Sequence, residues 1–423
     1  MLNISQEIQE LQSNNLYRSL KTISSDIGPY VEFQGRKLLN FSSNNYLGLA
    51  NDHRLKDAAI QATEQFGTSS GASRLITGSM SLHQQLEEKI AQFKNTEAAL
   101  VFNSGYQANL GIITALLREG DEIYSDELNH ASIIDGCRLS KATTKVYRHN
   151  DMNHLGELLK SNCHPHPDPL PSRERGQYSL SSPDGGQYHS PLPRGEGAGG
   201  RVKRLIVTDS IFSMDGDLAP LQDLAALAEK YDCYLMVDEA HATGVFGKNG
   251  KGLVEAIWPD GRPSYLQENL IQMGTFGKAL GSFGAYVAAA TDVIELLINK
   301  ARSFIYTTSL PPGVLAASLR AIEIVEQEPE RRAKLWENIH HFSKVLNASR
   351  LTFHASQISS PIIPILMGSS EKALELSQKL FEQGFWVSAI RYPTVAKGSE
   401  RLRLTLMASQ EKEHLDALAQ LLD

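Results

Sequence analysis

The sequence predicts an α/β fold: a large, mostly parallel sheet with helices on both faces, followed by a smaller α+β domain at the C-terminal end. Three observations predict it. Short β-branched runs alternate with helical patterns through most of the chain. The texture changes near residue 300, where "TTSLPPG" (307–313) breaks the chain and long helical patterns follow. A length of 423 residues also exceeds the usual reach of one hydrophobic core.

The elements follow in order. The opening "MLNISQEIQELQSNNLYRSLKTI" carries early acids and polar residues at helical spacing, without the basic start and apolar run of a signal peptide. "SLHQQLEEKIAQF" (81–93) places Leu82, Leu86, Ile90 and Phe93 on one helical stripe. "AALVF" (98–102) reads as a buried strand, and "YQANLGIITALL" (106–117) as the helix after it. "DEIYSD", "TKVYRH", "RLIVTD", "YLMVDE" and "LIQMGTF" read as further strands, with helices such as "LQDLAALAEKY" (221–231) between several of them. In the smaller domain "PIIPIL" and "RLRLTL" read as strands. One segment breaks the pattern. Residues 164–201 are rich in Pro, Gly, Ser and Arg, nearly repeat themselves, and hold almost no aliphatic side chain. Such a composition buries too little surface to offset its ordering entropy, so a disordered insertion is expected rather than a docking or metal-binding loop.

Bulk composition narrows the function. The formal net charge is −7, and the only short basic run is "RVKR" (201–204), so nucleic-acid binding has little electrostatic support. No run approaches the ~20 apolar residues of a membrane span. The three cysteines are widely separated and form no CxxC pair, which suits a reducing cytoplasm; Cys137 and Cys233 read as buried hydrophobes. A soluble, cytoplasmic protein is expected, with no metal site.

Two distant stretches carry the chemistry. "VDEAH" (237–241) ends a strand, where open α/β sheets bind ligands. A nucleotide-binding reading would pair it with GxxxxGK[ST], but Gln272 stands where the first glycine belongs and Lys278 is followed by Ala279. The better reading is pyridoxal phosphate. That cofactor needs a lysine to form an imine, an acid to keep its pyridine nitrogen protonated, and donors for its phosphate. Asp238 at a strand end and Lys278, forty residues later and after the next strand, supply the first two; "NSGYQAN" (103–109) supplies a helix N-terminus for the third. The glycines of "GTFGKALGSFGAY" (274–286) are expected to let the backbone approach the flat cofactor.

The chain resembles the α-oxoamine synthases, pyridoxal phosphate enzymes of fold type I, over nearly its whole length except 164–201. "NFSSNNYLGLA" (40–50), "GTSSGASRLITGS" (67–79), "NSGYQAN", "DELNHASIIDG" (126–136), "TDSIFSMDGDLAPL" (208–221), "VDEAHATGVFG" (237–247), "TFGKALG" (275–281) and "RLRLTL" (401–406) carry the resemblance. It implies an N-terminal segment (1–50) packing with the small domain and a partner subunit, a large cofactor domain (51–305) and a small domain (306–423). It also implies roles. Lys278 would form the imine and then serve as acid and base at the substrate α-carbon. Asp238 would pair with the pyridine nitrogen, His241 would bond the phenolic oxygen, Ser213 would contact the same side, and His130 would stack on the ring. Gly105, Tyr106 and Thr275 would contact or flank the phosphate, with Thr308 added from a partner subunit. Asn44 and Arg403 would hold the amino-acid carboxylate, and Arg18 and Thr394 would lie on the acyl-thioester side. The run "VSAIRYPTVAKGSERLRLTL" (387–406) is most similar to the branch that condenses L-alanine with pimeloyl-CoA or a pimeloyl-carrier protein in biotin synthesis. A homodimer is expected. Glycine-using synthases of the same family, and a non-catalytic cofactor-binding relative, are the alternatives.

Overall fold

The computed structural model describes residues 3–14, 16–161, 202–348 and 358–422. The insertion expected at 164–201 lies outside the described residues. Strands in chain order are β1 (Tyr30–Phe33), β2 (Arg36–Asn40), β3 (Ala98–Phe102), β4 (Glu122–Asp126) and β5 (Thr143–Tyr147). They continue as β6 (Arg204–Asp209), β7 (Tyr234–Asp238), β8 (Leu270–Thr275), β9 (Ala285–Ala289) and β10 (Ile362–Leu366). The last three are β11 (Phe385–Trp386), β12 (Ser388–Ile390) and β13 (Arg401–Thr405).

The central sheet has seven strands in the order β3-β9-β8-β7-β6-β4-β5. From β5 through β8 every pairing is parallel, and β9 runs against both of its neighbours. Helices on both faces explain why these strands are apolar runs rather than alternating ones. Along β7, Leu235 and Val237 join one buried cluster and Met236 the other, so successive side chains feed the two faces. Helix Gly105–Leu116 lies on the Met236 side, against helix Ala131–Ser140. Helix Pro312–Gln327 packs on the opposite side, against His53–Phe66 and Ser81–Lys94.

Two smaller sheets complete the fold. In one, β10-β13-β12 pair antiparallel; in the other, β11 joins β2 in parallel, tying a C-terminal strand to an N-terminal hairpin. Cys137 and Cys233 are buried. Among the described residues, no helix is long and apolar enough to cross a membrane.

What positions the site is the carboxyl edge of the parallel strands. Asp209, Asp238 and Thr275 are the last residues of β6, β7 and β8, and Asp209 stands opposite Asp238 in the ladder.

Candidate active site

A cavity of about 190 Å³ opens at this edge, lined by Asp209, Asp238, His241, Thr275 and Lys278 together with the first turn of helix Gly105–Leu116. Lys278 sits in the connection from β8 to β9. The Phe276 N–H donates to the Gly284 carbonyl (2.9 Å) and the Ser282 N–H to the Phe276 carbonyl (2.8 Å), which closes the connection into a hairpin. Two of the glycines here make room for the protein itself. A Cβ on Gly281, whose φ is +62°, would come within 2.3 Å of the Ala50 nitrogen, and one on Gly274 within 2.3 Å of the Tyr286 hydroxyl. Gly277, next to Lys278, has no such crowding: a Cβ there would come no closer than 3.7 Å to the Ser282 carbonyl oxygen. Burial, opposed by the charges of Asp238 and Asp209, brings the Lys278 amine down to about 8.

The carboxylate wall is built from three segments. The Asn109 side-chain amide donates to Asp238 Oδ2 (2.9 Å) and to Ser132 Oγ (2.9 Å), and the Ala240 N–H donates to Asp238 Oδ1 (2.9 Å). Beside it, Asp209 accepts from the His130 N–H at 2.7 Å. Burial first, and then the charge of Asp238, push the Asp209 carboxyl well above the usual carboxylate range. His130 caps helix Ala131–Ser140, and its Nδ1 meets Ser132 Oγ at 2.7 Å. Its ring is open to solvent on one side, yet desolvation on the other, aided by Lys278, lowers its pKa.

At the opposite end lies a helix N-terminus. Ser104 caps helix Gly105–Leu116 through the Gln107 N–H, leaving the amides of Gly105 and Tyr106 without helical acceptors. Thr275 Oγ1 is buried there without a partner. A side chain at 105 would bring Cβ within 2.8 Å of Thr275 Cγ2, so glycine keeps this corner open. The Tyr106 hydroxyl donates to Asp135 Oδ2 (2.6 Å), which leaves its ring standing at the cavity mouth.

A third cluster flanks Lys278. Both terminal nitrogens of Arg403 donate to Asn44 Oδ1 at 3.2 Å, and its Nε donates to the Ser213 carbonyl. Arg403, on β13, is buried and near enough for its charge to help lower the Lys278 pKa. The Tyr46 hydroxyl lies 2.7 Å from His241 Nδ1 and 3.2 Å from Asn44 Oδ1. Arg18 and Thr394 are far apart in sequence but meet, Arg18 Nη2 donating to Thr394 Oγ1 at 3.0 Å on an exposed surface. Thr308 stays outside the cavity of its own chain; it is exposed, and its carbonyl accepts from Asn103 (2.7 Å).

Sequence reasoning passed over two members. Asn109 lies four residues after Gly105 in a quoted motif, and that spacing puts both on one helical face, a signal that could have found it. Tyr46 had no such signal, since its partner His241 is 195 residues away.

The constellation fits pyridoxal phosphate. An orphaned hydroxyl and free amides wait at a helix start, a strand-end carboxylate stands ready for a ring N–H, and a lysine of lowered pKa lies in the same cavity. Among the described residues, no group of three or more His, Cys, Asp or Glu is arranged to hold a metal.

Comparison with known proteins agrees. Residues 36–422 match the model of the aminotransferase class I and II family. The 8-amino-7-oxononanoate synthase of Symbiobacterium thermophilum is 46% identical, over 97% of this chain and 94% of its own. The enzyme of the same name from Geobacter sulfurreducens is 46% identical over 98% and 95%. Among solved structures, serine palmitoyltransferase from S. paucimobilis with a bound PLP–myriocin aldimine superposes with a TM-score of 0.83 at 27% identity, covering 99% of this chain and 95% of that one. The 8-amino-7-oxononanoate synthase of Francisella tularensis superposes with a TM-score of 0.70 at 31% identity, covering 91% and 96%. The chain therefore belongs to the aminotransferase class I and II family, on its α-oxoamine synthase branch.

Proposed function

We propose that this protein is a pyridoxal phosphate-dependent acyltransferase that condenses L-alanine with a pimeloyl thioester and releases carbon dioxide, giving 8-amino-7-oxononanoate for biotin. The observation that carries this reading is the one cavity that Lys278, the Asp238 carboxylate and the Gly105 helix start line together. When bound, pyridoxal phosphate supplies a carbonyl for amines and a protonated ring that withdraws electrons from the attached α-carbon.

The chain's own residues do the rest. With a pKa near 8, a substantial share of Lys278 is neutral around physiological pH, as a nucleophile and a proton carrier at the α-carbon must be. Asp238, oriented by Asn109 and the Ala240 N–H, accepts the ring N–H. Asp209 stands beside it, its carboxyl pushed well above the usual carboxylate range by burial and by the charge of Asp238. The amides of Gly105 and Tyr106 and the Thr275 hydroxyl hold the phosphate. His130 would cover a ring face, and His241 and Ser213 would lie on the phenolic side. Arg403 and Asn44 take the alanine carboxylate, which orients the substrate's α-bonds before a proton moves.

Arg18 and Thr394 mark the acyl-donor side, and coenzyme A or a carrier protein would present the same thioester there. The reading includes a homodimer in which Thr308 reaches the partner's phosphate. The exposed apolar side chains Leu75, Ile76, Phe283 and Tyr306 support association with a second copy. It also keeps a cytoplasmic location and the division into segment 1–50, a large domain 51–305 and a small domain 306–423.

The test is a titration of the purified protein, loaded with pyridoxal phosphate, with alanine, glycine and serine, followed by acyl thioesters. Alanine should perturb the cofactor absorbance most effectively, and pimeloyl-CoA should then drive turnover. Saturating rates with glycine and acetyl-CoA that exceed those with alanine and pimeloyl-CoA would overturn the choice of substrates.

A further inference from the structure

We propose that Tyr46 is a positioning residue that fixes the proton of His241 on Nε2, so that the imidazole faces the cavity as a hydrogen-bond donor. The assignment follows from a count of protons and lone pairs around Asn44, Tyr46 and His241, the last two buried. The carbonyl oxygen of Asn44 has two lone pairs. Arg403 directs both terminal nitrogens at it, each at 3.2 Å, and a guanidinium has only donors to offer. The Tyr46 hydroxyl also lies 3.2 Å from that oxygen, so a third donor competes for two sites.

The same hydroxyl is closer to His241 Nδ1, at 2.7 Å. Tyr46 has one proton. With Asn44 already served by Arg403, that proton goes to the shorter contact, and Nδ1 becomes its acceptor. A neutral imidazole that accepts at Nδ1 carries its hydrogen on Nε2. That second nitrogen is left for the cavity, which His241 lines.

Both groups are in the ionisation state this count requires. Burial pushes the Tyr46 hydroxyl up to about 12, so it keeps its proton. Burial, with the charges of Lys278 and Arg403, lowers His241 well below the ordinary imidazole value, so the ring is neutral. Tyr46 is wholly buried, and Arg403 also reaches its hydroxyl; a guanidinium only donates, so the single tyrosine proton is left for Asn44 or His241. The assignment also links two functions. Arg403 and Asn44, which take the substrate carboxylate in the reading above, free the tyrosine proton for the histidine. A carboxylate that draws Arg403 away from Asn44 would therefore make the Asn44 oxygen available and weaken the donor.

The proposal's cofactor-side consequence rests on the function proposed above, but its first test does not. In the full chain without cofactor, ¹⁵N-imidazole NMR, with His241 assigned by comparison with His241→Asn, should report a neutral ring protonated at Nε2. In Tyr46→Phe the buried Nδ1 loses its donor, and the signal should shift toward a mixture of tautomers. With pyridoxal phosphate bound, loss of a donor to an ionised oxygen should move the absorbance titration of the cofactor up by about one pH unit. A wild-type ring protonated at Nδ1 overturns the proposal, and does so even if the variant fails to fold. An unchanged tautomer in folded Tyr46→Phe overturns it as well. Wild-type Nε2 protonation with an altered tautomer in Tyr46→Phe, but no cofactor absorbance band in either protein, would leave the tautomer assignment standing and sink the functional reading instead.

Discussion

An exposed lysine titrates near 10.5, whereas Lys278 titrates near 8 because its cavity removes water faster than Asp238 and Asp209 restore favourable charge. Reaction of the cofactor-free chain with pyridoxal phosphate, trapped by borohydride, should therefore accelerate as pH rises through about 8 and level off above it. The stability sign follows from the same shift. Between about 8 and 10.5 the unfolded chain holds more protons at this position, so the lysine's contribution to stability improves with rising pH across that window. Lys278→Ala should give no trapped adduct at this position. Its turnover should fall by more than the ~10²–10⁴-fold typical of positioned proton transfer, because the nucleophile is lost along with the acid–base group. Peptide mapping that finds the adduct on another lysine of the wild-type chain would refute the assignment.

Elements hold these residues through charges set away from the cavity. His149 bridges Asp126 at the end of β4 (3.0 Å) and Asp217 (2.6 Å), with the edge of its ring against Phe212 at 4.4 Å between centroids. Burial disfavours its charge, but the two carboxylates prevail and raise it to about 10. The 211–218 segment carrying Ser213 is thus held on one side by a histidine cation. On the other, β13 reaches it through Arg401 to Asp215 and Arg403 to the Ser213 carbonyl. A raised histidine pKa stabilises fully below the unfolded value of 6.5 and loses its effect as pH climbs to about 10. The gap in Tm between wild type and His149→Asn should therefore be widest at pH 6 and narrow toward pH 10. A second pair lies under the sheet, where Lys94, at the end of helix Ser81–Lys94, meets Glu239 with both side chains wholly buried. Glu239 also accepts from the Val254 N–H at 2.9 Å, anchoring the loop after β7. Lys94→Met strands that carboxylate, and denaturant unfolding should register a loss of about 3–5 kcal/mol.

At the scale of the whole molecule, the strands legible in the sequence are those whose surroundings impose a simple pattern. β6, β7 and β8 are buried on both faces and read as apolar runs, and their terminal Asp238 and the following Lys278 could be paired by their order alone. β9 escaped notice because "AYVAA" is mostly alanine, a residue without strand preference that fits here between two close neighbours. β1, β2 and β11 escaped because their sheet joins residues near 40 to residues near 385, and short-range pattern carries no sign of such a pairing. The same limit hid the Tyr46–His241 contact. Residues 164–201 can be tested from composition. β6 begins at Arg204, at the amino end of its strand, whereas Asp209 lies at the other end, roughly 16 Å away at about 3.3 Å per residue. Replacing 165–200 by a short Gly-Ser linker should leave Tm and turnover nearly unchanged, since loop-closure cost changes by only about 0.6 kcal/mol per doubling of length. A large loss of activity would make the segment a functional element.

The β8–β9 hairpin constrains the chain in the opposite way. Its two strands face each other directly, with Thr275 opposite Ala285, and nine residues, 276–284, turn between them. A parallel crossover could absorb an added residue in its helix or loops. This turn cannot, because its ends are locked by the sheet and Gly281 is pressed against the backbone at Ala50. One extra residue before Lys278 would carry the amine off by about the 3.3 Å of a strand step or force the ladder to slip, reversing the faces of β9. Lineages of this fold should therefore vary freely in length before β6 while keeping the count from 276 to 284 constant, and a library of single-residue insertions scored for borohydride-trapped cofactor would reveal that contrast directly.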